Sequence, residues 1–249
     1  MALFSLFRSR PKEPVKFCFG TDIHCHIVPG VDDGARDPKT SADLIERMQQ
    51  WGISRIIASP HVTQETFENN LGTITPAIEN LRAELASRGN DIPVSHSAEY
   101  RIDGLFQERL EKNELMLLPN KHILIENSFL QEPWNLDQLV FDLQMRGLTP
   151  ILAHPERYFY YHNNTARYRQ LHEAGLALQI NVLSLAGYYG NPEQTIARHI
   201  LKEGLVSFIG TDLHNHRHAD AIDAYLRTAD ARHDMEALAP LVKNDSAFL

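Results

Sequence analysis

Cysteine is nearly missing from this 249-residue chain, which holds only Cys18 and Cys25. The two lie seven residues apart on one predicted strand, which cannot fold back to bridge them. That excludes a disulfide framework and a cysteine-based zinc knuckle, and it points to a reducing cytoplasm. Positive charge is in deficit: 24 Lys and Arg against 32 Asp and Glu leave a net charge of −8. Such a balance argues against a nucleic-acid footprint and gives no general attraction to anionic membranes. No apolar run is long enough to span a bilayer. The apolar run within Met1–Arg10 is too short for a signal peptide, so residues 1–14 read as an N-terminal extension. No Gly-rich phosphate loop follows any predicted strand. Repeats of fixed period, low-complexity stretches and composition breaks are also missing. The remainder, 15–249, is expected to form one domain with a sizeable core.

Strand-like apolar runs alternate with amphipathic helices along the whole chain. The predicted strands cover 15–23, 54–59, 93–98, 121–126, 149–153, 176–181 and 205–210. Asp37 and Pro38 read as the N-cap and first position of a helix with an inward stripe of Leu44, Ile45 and Met48, stopped by Gly52. Asn135 opens a second helix that ends at Gly147, and Asn191-Pro192 opens a third that ends at Gly204. Weaker helical patterns cover 73–89 and 164–174. Seven strands spaced by helices predict a parallel α/β fold. A closed or nearly closed βα barrel is the simplest arrangement, with an open doubly wound sheet as the alternative.

The stretch Thr21-Asp22-Ile23-His24-Cys25-His26-Ile27-Val28-Pro29-Gly30-Val31-Asp32-Asp33-Gly34 carries the strongest chemical signal. Residues i and i+2 of a strand face the same side, so His24 and His26 aim two imidazoles at one point. Cys25, between them, faces the core. Other metal-type residues recur at strand ends: His61, Glu99, Glu126, His154, and the pair Asp212 and His214. In βα barrels that rim builds the active site. Any one of these residues could be an ordinary loop histidine or ion-pair partner. A set repeating one position strand after strand reads as a metal site. Asp33 joins the set as a ligand, while Asp22 and Asp32 are candidates for orienting imidazoles. His96, His122, His162, His172, His199, His216, His218 and His233 fall outside the pattern. Nine potential ligands are too many for one ion. Imidazole and carboxylate without thiolate suit Mn, Fe or Zn, in a cluster of two or three ions.

Arg157, three residues past His154, offers a guanidinium for phosphate; an ion pair with a neighbouring acid is its other reading. Arg217 is a second substrate-binding candidate. Trp134, Tyr158, Phe159, Tyr160 and Tyr161 either wall an aromatic substrate or pack.

Together these residues resemble the PHP (polymerase and histidinol phosphatase) superfamily. Within it they are most similar to the bacterial capsule- and exopolysaccharide-associated tyrosine phosphatases of the CpsB/YwqE type. The closer likeness rests on His24 through Gly34, Ala98-Glu99-Tyr100, Ile125-Glu126, Ala153-His154-Pro155-Glu156-Arg157-Tyr158 and Asp212-Leu213-His214-Asn215. The resemblance implies a distorted (β/α)7 barrel of PHP type with a trinuclear centre, usually described with Mn. It implies His24, His26, Asp33, His61, Glu99, Glu126, His154, Asp212 and His214 as metal ligands. Arg157, His154 and Asp33 are then the catalytic residues. The implied reaction is hydrolysis of phosphotyrosine by a metal-activated hydroxide. Its implied substrate is the phosphorylated tail of a bacterial tyrosine kinase controlling polysaccharide synthesis, which would bring a cytoplasmic enzyme near the inner membrane.

The leaving group fits this chemistry on its own terms. A phenol, with a pKa near 10, departs more easily than an alkoxide and needs less help from a general acid. Cysteine-dependent tyrosine phosphatases place an arginine six positions after the nucleophile. Here His24 and Val31 stand at those positions after Cys18 and Cys25, which excludes that mechanism. A small-molecule phosphatase of histidinol-phosphate type, a metal-retaining binding module and a nucleic-acid phosphoesterase are the competing readings.

Overall fold

The computed structural model describes residues 13–248; residues 1–12 of the expected N-terminal extension lie outside the described residues. Strands form at Thr21–Asp22 (β1), Arg55–Ala58 (β2), His61–Thr63 (β3), Phe67–Glu68 (β4), Val94–His96 (β5), Glu99–Arg101 (β6), His122–Glu126 (β7), Thr149–Ala153 (β8), Ala177–Asn181 (β9) and Val206–Gly210 (β10). They build a three-stranded sheet, β1-β2-β5, and a seven-stranded sheet, β10-β9-β8-β7-β6-β3-β4. Every pairing is parallel except the β3-β4 hairpin. Apolar runs such as Ile123-Leu124-Ile125 and Ile151-Leu152-Ala153 are fully buried, as a parallel sheet covered on both faces demands.

The molecule is therefore a mixed α/β fold with a largely parallel sheet core, but its strands differ from the seven expected. The run at 15–23 is paired only at Thr21–Asp22, where it meets Arg55 and Ile56. The runs at 54–59 and 93–98 stop at Ala58 and His96, and the chain then enters the larger sheet as β3 and β6. Pro60 has no N–H for a ladder and breaks the first of these runs. The second break lies beside it: Ser97 N–H donates to the Ala58 carbonyl (2.8 Å) and Glu99 N–H to that of Pro60 (3.0 Å). On the other side of β1, Asp212 N–H donates to His24 (2.7 Å) and His26 N–H to Leu213 (3.0 Å), around an isolated parallel bridge between Cys25 and Leu213. Backbone hydrogen bonds thus join the two sheets where the candidate ligands lie.

Helices fill the crossovers. Pro38–Trp51 starts at Asp37, whose carboxylate accepts from Thr40 N–H (2.7 Å), and ends at Gly52 with φ +105°. It buries Leu44, Ile45, Met48 and Trp51. The two later helices open where expected: Asn135 stands at the N-cap of Leu136–Met145, without a side-chain cap bond, and Asn191 is the first residue of Asn191–Lys202, capped by Gly190. Among the described residues no helix is long and apolar enough to cross a membrane.

Candidate metal centre

His24 and His26 leave β1 fully buried, with ring centroids 5.4 Å apart. Each ring is anchored through Nδ1: His24 to Gln179 Oε1 (2.6 Å) and His26 to Asp32 Oδ2 (2.8 Å). Anchoring one nitrogen leaves the other, Nε2, for the centre of the site. Asp32 also accepts backbone N–H groups from Gly34 (3.0 Å) and His61 (3.0 Å), tying the turn after His26 to the start of β3. That turn needs glycine at position 34, where a Cβ would collide with the His26 carbonyl. Asp22 orients no imidazole: it accepts from the Thr211 hydroxyl (2.6 Å) and from the backbone N–H groups of His24 (3.1 Å) and Thr211 (3.3 Å).

Glu99, also fully buried, is the hub of this floor. Its Oε1 lies 3.0 Å from His154 Nε2 and 3.3 Å from His24 Nε2; its Oε2 lies 2.9 Å from His61 Nδ1 and 3.5 Å from His26 Nε2. Asp212 is the second hub. Its Oδ1 faces His26 Nε2 (3.3 Å), His24 Nε2 (3.5 Å) and His214 Nδ1 (3.5 Å). Its Oδ2 accepts from Asn181 Nδ2 (2.7 Å), Arg157 Nη1 (2.9 Å) and the Tyr189 hydroxyl (3.3 Å). His154 and Asp212 both take left-handed backbone, at φ +33° and +50°. Non-glycine residues hold that conformation only where the surroundings over-determine it.

Above the floor opens a cavity of about 600 Å³. Asp33, His61, Glu126, Asp212 and His214 line it together with Arg101, Arg157, Phe67, Phe129 and Tyr189. Asp33 Oδ1 lies 3.5 Å from His214 Nε2 and 3.6 Å from His61 Nε2. Arg157 lies against two rings, its Cζ 4.3 Å from the Tyr189 centroid and 5.0 Å from that of Phe129.

A family model described as capsular polysaccharide synthesis, CpsB/CapC, matches residues 20–245. The chain belongs to the CpsB/CapC family. It is 35% identical over 195 residues to tyrosine-protein phosphatase YwqE of Bacillus subtilis, covering 78% of this chain and 77% of that one. To tyrosine-protein phosphatase CpsB of Streptococcus pneumoniae it is 31% identical over 202 residues, covering 78% and 82%. The solved structures of YwqE and CpsB from these organisms, described as unique metal-dependent tyrosine phosphatases, include a chain that superposes with a TM-score of 0.76 at 32% identity. That superposition covers 90% of this chain and 94% of the other.

In this CpsB/CapC chain the buried donors fit a cation. His24 Nε2, His26 Nε2 and Glu99 Oε2 are buried and make no hydrogen bond. Four overlapping groups could each hold an ion: His26, Asp33, His61 and His214; His24, Glu99 and His154; His24, His26 and Asp212; and His61, Glu99 and Glu126. Within each group the donor atoms lie within 4.8 Å of one another. Against the cost of burial, neighbouring carboxylates push His24 up to about 9 and raise His26 and His61 above the usual imidazole range, so the site gathers positive charge and an ion bound there would displace protons. Burial opposes charge on Glu99, yet His24, His61 and His154 around it hold its carboxyl well below the usual range. Burial likewise opposes charge on Asp212, and His24, His26, His214 and Arg157 outweigh it. His154 is pushed down to about 4 by burial and by Arg157, which favours the neutral ring a metal requires. Glu126 is pushed up to about 7 by burial and by the neighbouring Glu99 charge.

The CpsB/CapC site brings together all nine carboxylates and imidazoles singled out in the sequence, and Arg157 with them. Arg217 is not brought in: it sits exposed on the helix His216–Tyr225 and does not line the cavity. Trp134 is 95% exposed and Tyr158 is buried in the core, so neither walls the cavity. His218, read as outside the pattern, does line it. Sequence reasoning missed Gln179 and Asn181, whose amides carry no signal of their own, and Phe129 and Tyr189, which stand on loops. It also missed Arg101, which lies two residues past Glu99 and could have been found by the same strand periodicity that pairs His24 with His26.

Proposed function

We propose that this protein is a metal-dependent protein-tyrosine phosphatase of capsular or exopolysaccharide synthesis. The observation that carries this reading is the buried floor of orphaned imidazole and carboxylate donors directly beneath a cavity that presents Arg157. The names of the CpsB/CapC relatives supply the substrate: phosphotyrosine on a protein, which we take to be the phosphorylated tail of a tyrosine kinase. Within this reading the two joined sheets act as a distorted (β/α)7 barrel of PHP type, and 15–249 is one domain. His24, His26, Asp33, His61, Glu99, Glu126, His154, Asp212 and His214 hold two or three ions. Mn²⁺ is the ion we propose, with Fe and Zn as the alternatives. When bound, such ions neutralise phosphoryl charge and make water acidic enough to attack at neutral pH.

The chain's own groups do the rest. Arg157 is held over Tyr189 and against Asp212, so its guanidinium is oriented before a phosphoryl group arrives. Phe67, Phe129 and Tyr189 offer aromatic wall to a phenyl ring. The phenolate leaving group needs no strong acid, and none is assigned. The enzyme works in the cytoplasm, close to the inner membrane through its kinase.

The test is phosphate release from a phosphotyrosine peptide by chelator-stripped full-length protein, with and without Mn²⁺. Release restored by the metal is expected. Metal uptake without release would sink the phosphatase reading. Faster turnover of histidinol phosphate than of the peptide would favour the small-molecule alternative, for which a cavity of this size is also adequate.

A further inference from the structure

Arg101 ends β6 two residues past Glu99, and strand geometry puts the two side chains on one face, about 6–7 Å apart along the strand. Glu99 faces the centre of the floor, so Arg101 faces the same way, one step nearer the mouth. Tyr100, between them, points into the core, where its hydroxyl accepts from Met116 N–H (2.7 Å). The β6-β7 register sets Arg101 opposite Glu126, and Arg101 Nε donates to Glu126 Oε2 at 2.8 Å. Among the described residues its two Nη groups have no partner, although a guanidinium carries five donors. The Arg101 Cζ lies 5.5 Å from the Phe129 centroid, the ring that Arg157 approaches at 5.0 Å. Two guanidinium groups thus rest on one aromatic platform at the edge of one cavity.

We propose that Arg101 is a second phosphate-binding residue, forming with Arg157 a pincer on Phe129 that selects doubly charged phosphate monoesters over singly charged diesters. This rests on the phosphatase reading of the site. Arg101 keeps Nε on Glu126 and presents its Nη groups to the phosphoryl oxygens, while Arg157 approaches from the Asp212 side. A monoester dianion offers three terminal oxygens to the two guanidinium forks, whereas a diester has only two and carries one charge less, so it engages the pair less fully. Phe129 acts as a positioning residue for both.

The experiment uses full-length Mn²⁺-loaded protein and its Arg101→Gln and Arg101→Lys variants. Inorganic phosphate serves as a competitive probe, read alongside metal content and the KM and kcat for a phosphotyrosine peptide. Arg101→Gln is expected to weaken phosphate inhibition roughly ten- to hundredfold, the range for one charged hydrogen-bonding partner. KM should rise more than kcat falls, at unchanged metal content, and the preference for p-nitrophenyl phosphate over its bis ester should narrow. Arg101→Lys, which keeps the charge without the fork, should fall between. Unchanged phosphate inhibition in Arg101→Gln, or a metal loss that accounts for the whole effect, would overturn the proposal and leave Arg101 as a support for Glu126. Should the wild type cleave no phosphotyrosine, the phosphatase reading fails, and direct calorimetric titration of the wild type and Arg101→Gln with inorganic phosphate decides the role of Arg101.

Discussion

The floor and the mouth of this site use the same residue types under opposite physical conditions. His24, His26, Glu99, His154 and Asp212 are at most 1% exposed. Their side chains are pinned by Gln179, Asp32 and Asn181 and by backbone that crosses between the sheets. At the mouth, the Asp33 side chain is 59% exposed, that of His61 17% and that of His214 13%. Unpaired charge is costly in the floor and cheap at the mouth, because water screens one and not the other. In the proposed function a cation in the floor would neutralise Glu99 and Asp212 as well as supply chemistry. The mouth residues can be altered with less disturbance, so differences in affinity and substrate choice should arise there.

Breaking the floor should have the largest effect. Glu99→Gln removes a carboxylate that four imidazoles share, and complete loss of phosphate release together with loss of bound metal is expected. Asp33→Asn, at the mouth, should give up at most part of the metal. Elemental analysis of both proteins beside their activity checks this, and equal metal loss in the two would erase the distinction between floor and mouth.

Next comes Arg157→Ala, which takes one partner from an ion pair with buried Asp212 and removes a phosphate donor. Its cost in kcat/KM should be about 2–5 kcal/mol, with metal content unchanged. Steady-state kinetics with a phosphotyrosine peptide would reveal it.

Asp32→Asn addresses the anchoring of His26 from outside the donor set. Partners of this kind typically matter by about 10–100-fold in metal affinity, which a competition titration with a chelator measures. An effect near zero would mean that packing alone orients the ring.

The smallest effects are expected away from both regions. Arg217→Ala should leave kcat/KM unchanged. Iodoacetamide at pH 7 should leave activity intact, since burial pushes Cys18 up to about 11 and Cys25 well above the ordinary thiol range. At that pH roughly one Cys18 thiol in ten thousand is ionised. Rapid inactivation would return a cysteine to the reaction.

Much of the site was legible because its signal is local. Two-residue periodicity brings His24 beside His26, and strand ends in a parallel α/β fold all face one rim, so a residue type recurring there converges without knowledge of the packing. Arg217 misled because nearness in sequence to His214 does not decide which way a helical side chain faces. Gln179 and Asn181 were illegible for the opposite reason: a strand amide acquires a role only from what the neighbouring strand presents to it.

The chain by itself determined the parallel α/β alternation, the chemistry of the donor set and the exclusion of a cysteine nucleophile. These follow from periodicity and composition, which act over a few residues. Only the tertiary structure decided that the strand runs at 54–59 and 93–98 break and change sheets, and that Glu99 and Asp212 are the hubs. It also decided that Arg101, rather than Arg217, stands at the cavity beside Arg157. Each of these depends on register between strands distant in sequence, which backbone hydrogen bonding and burial settle only when the whole core closes.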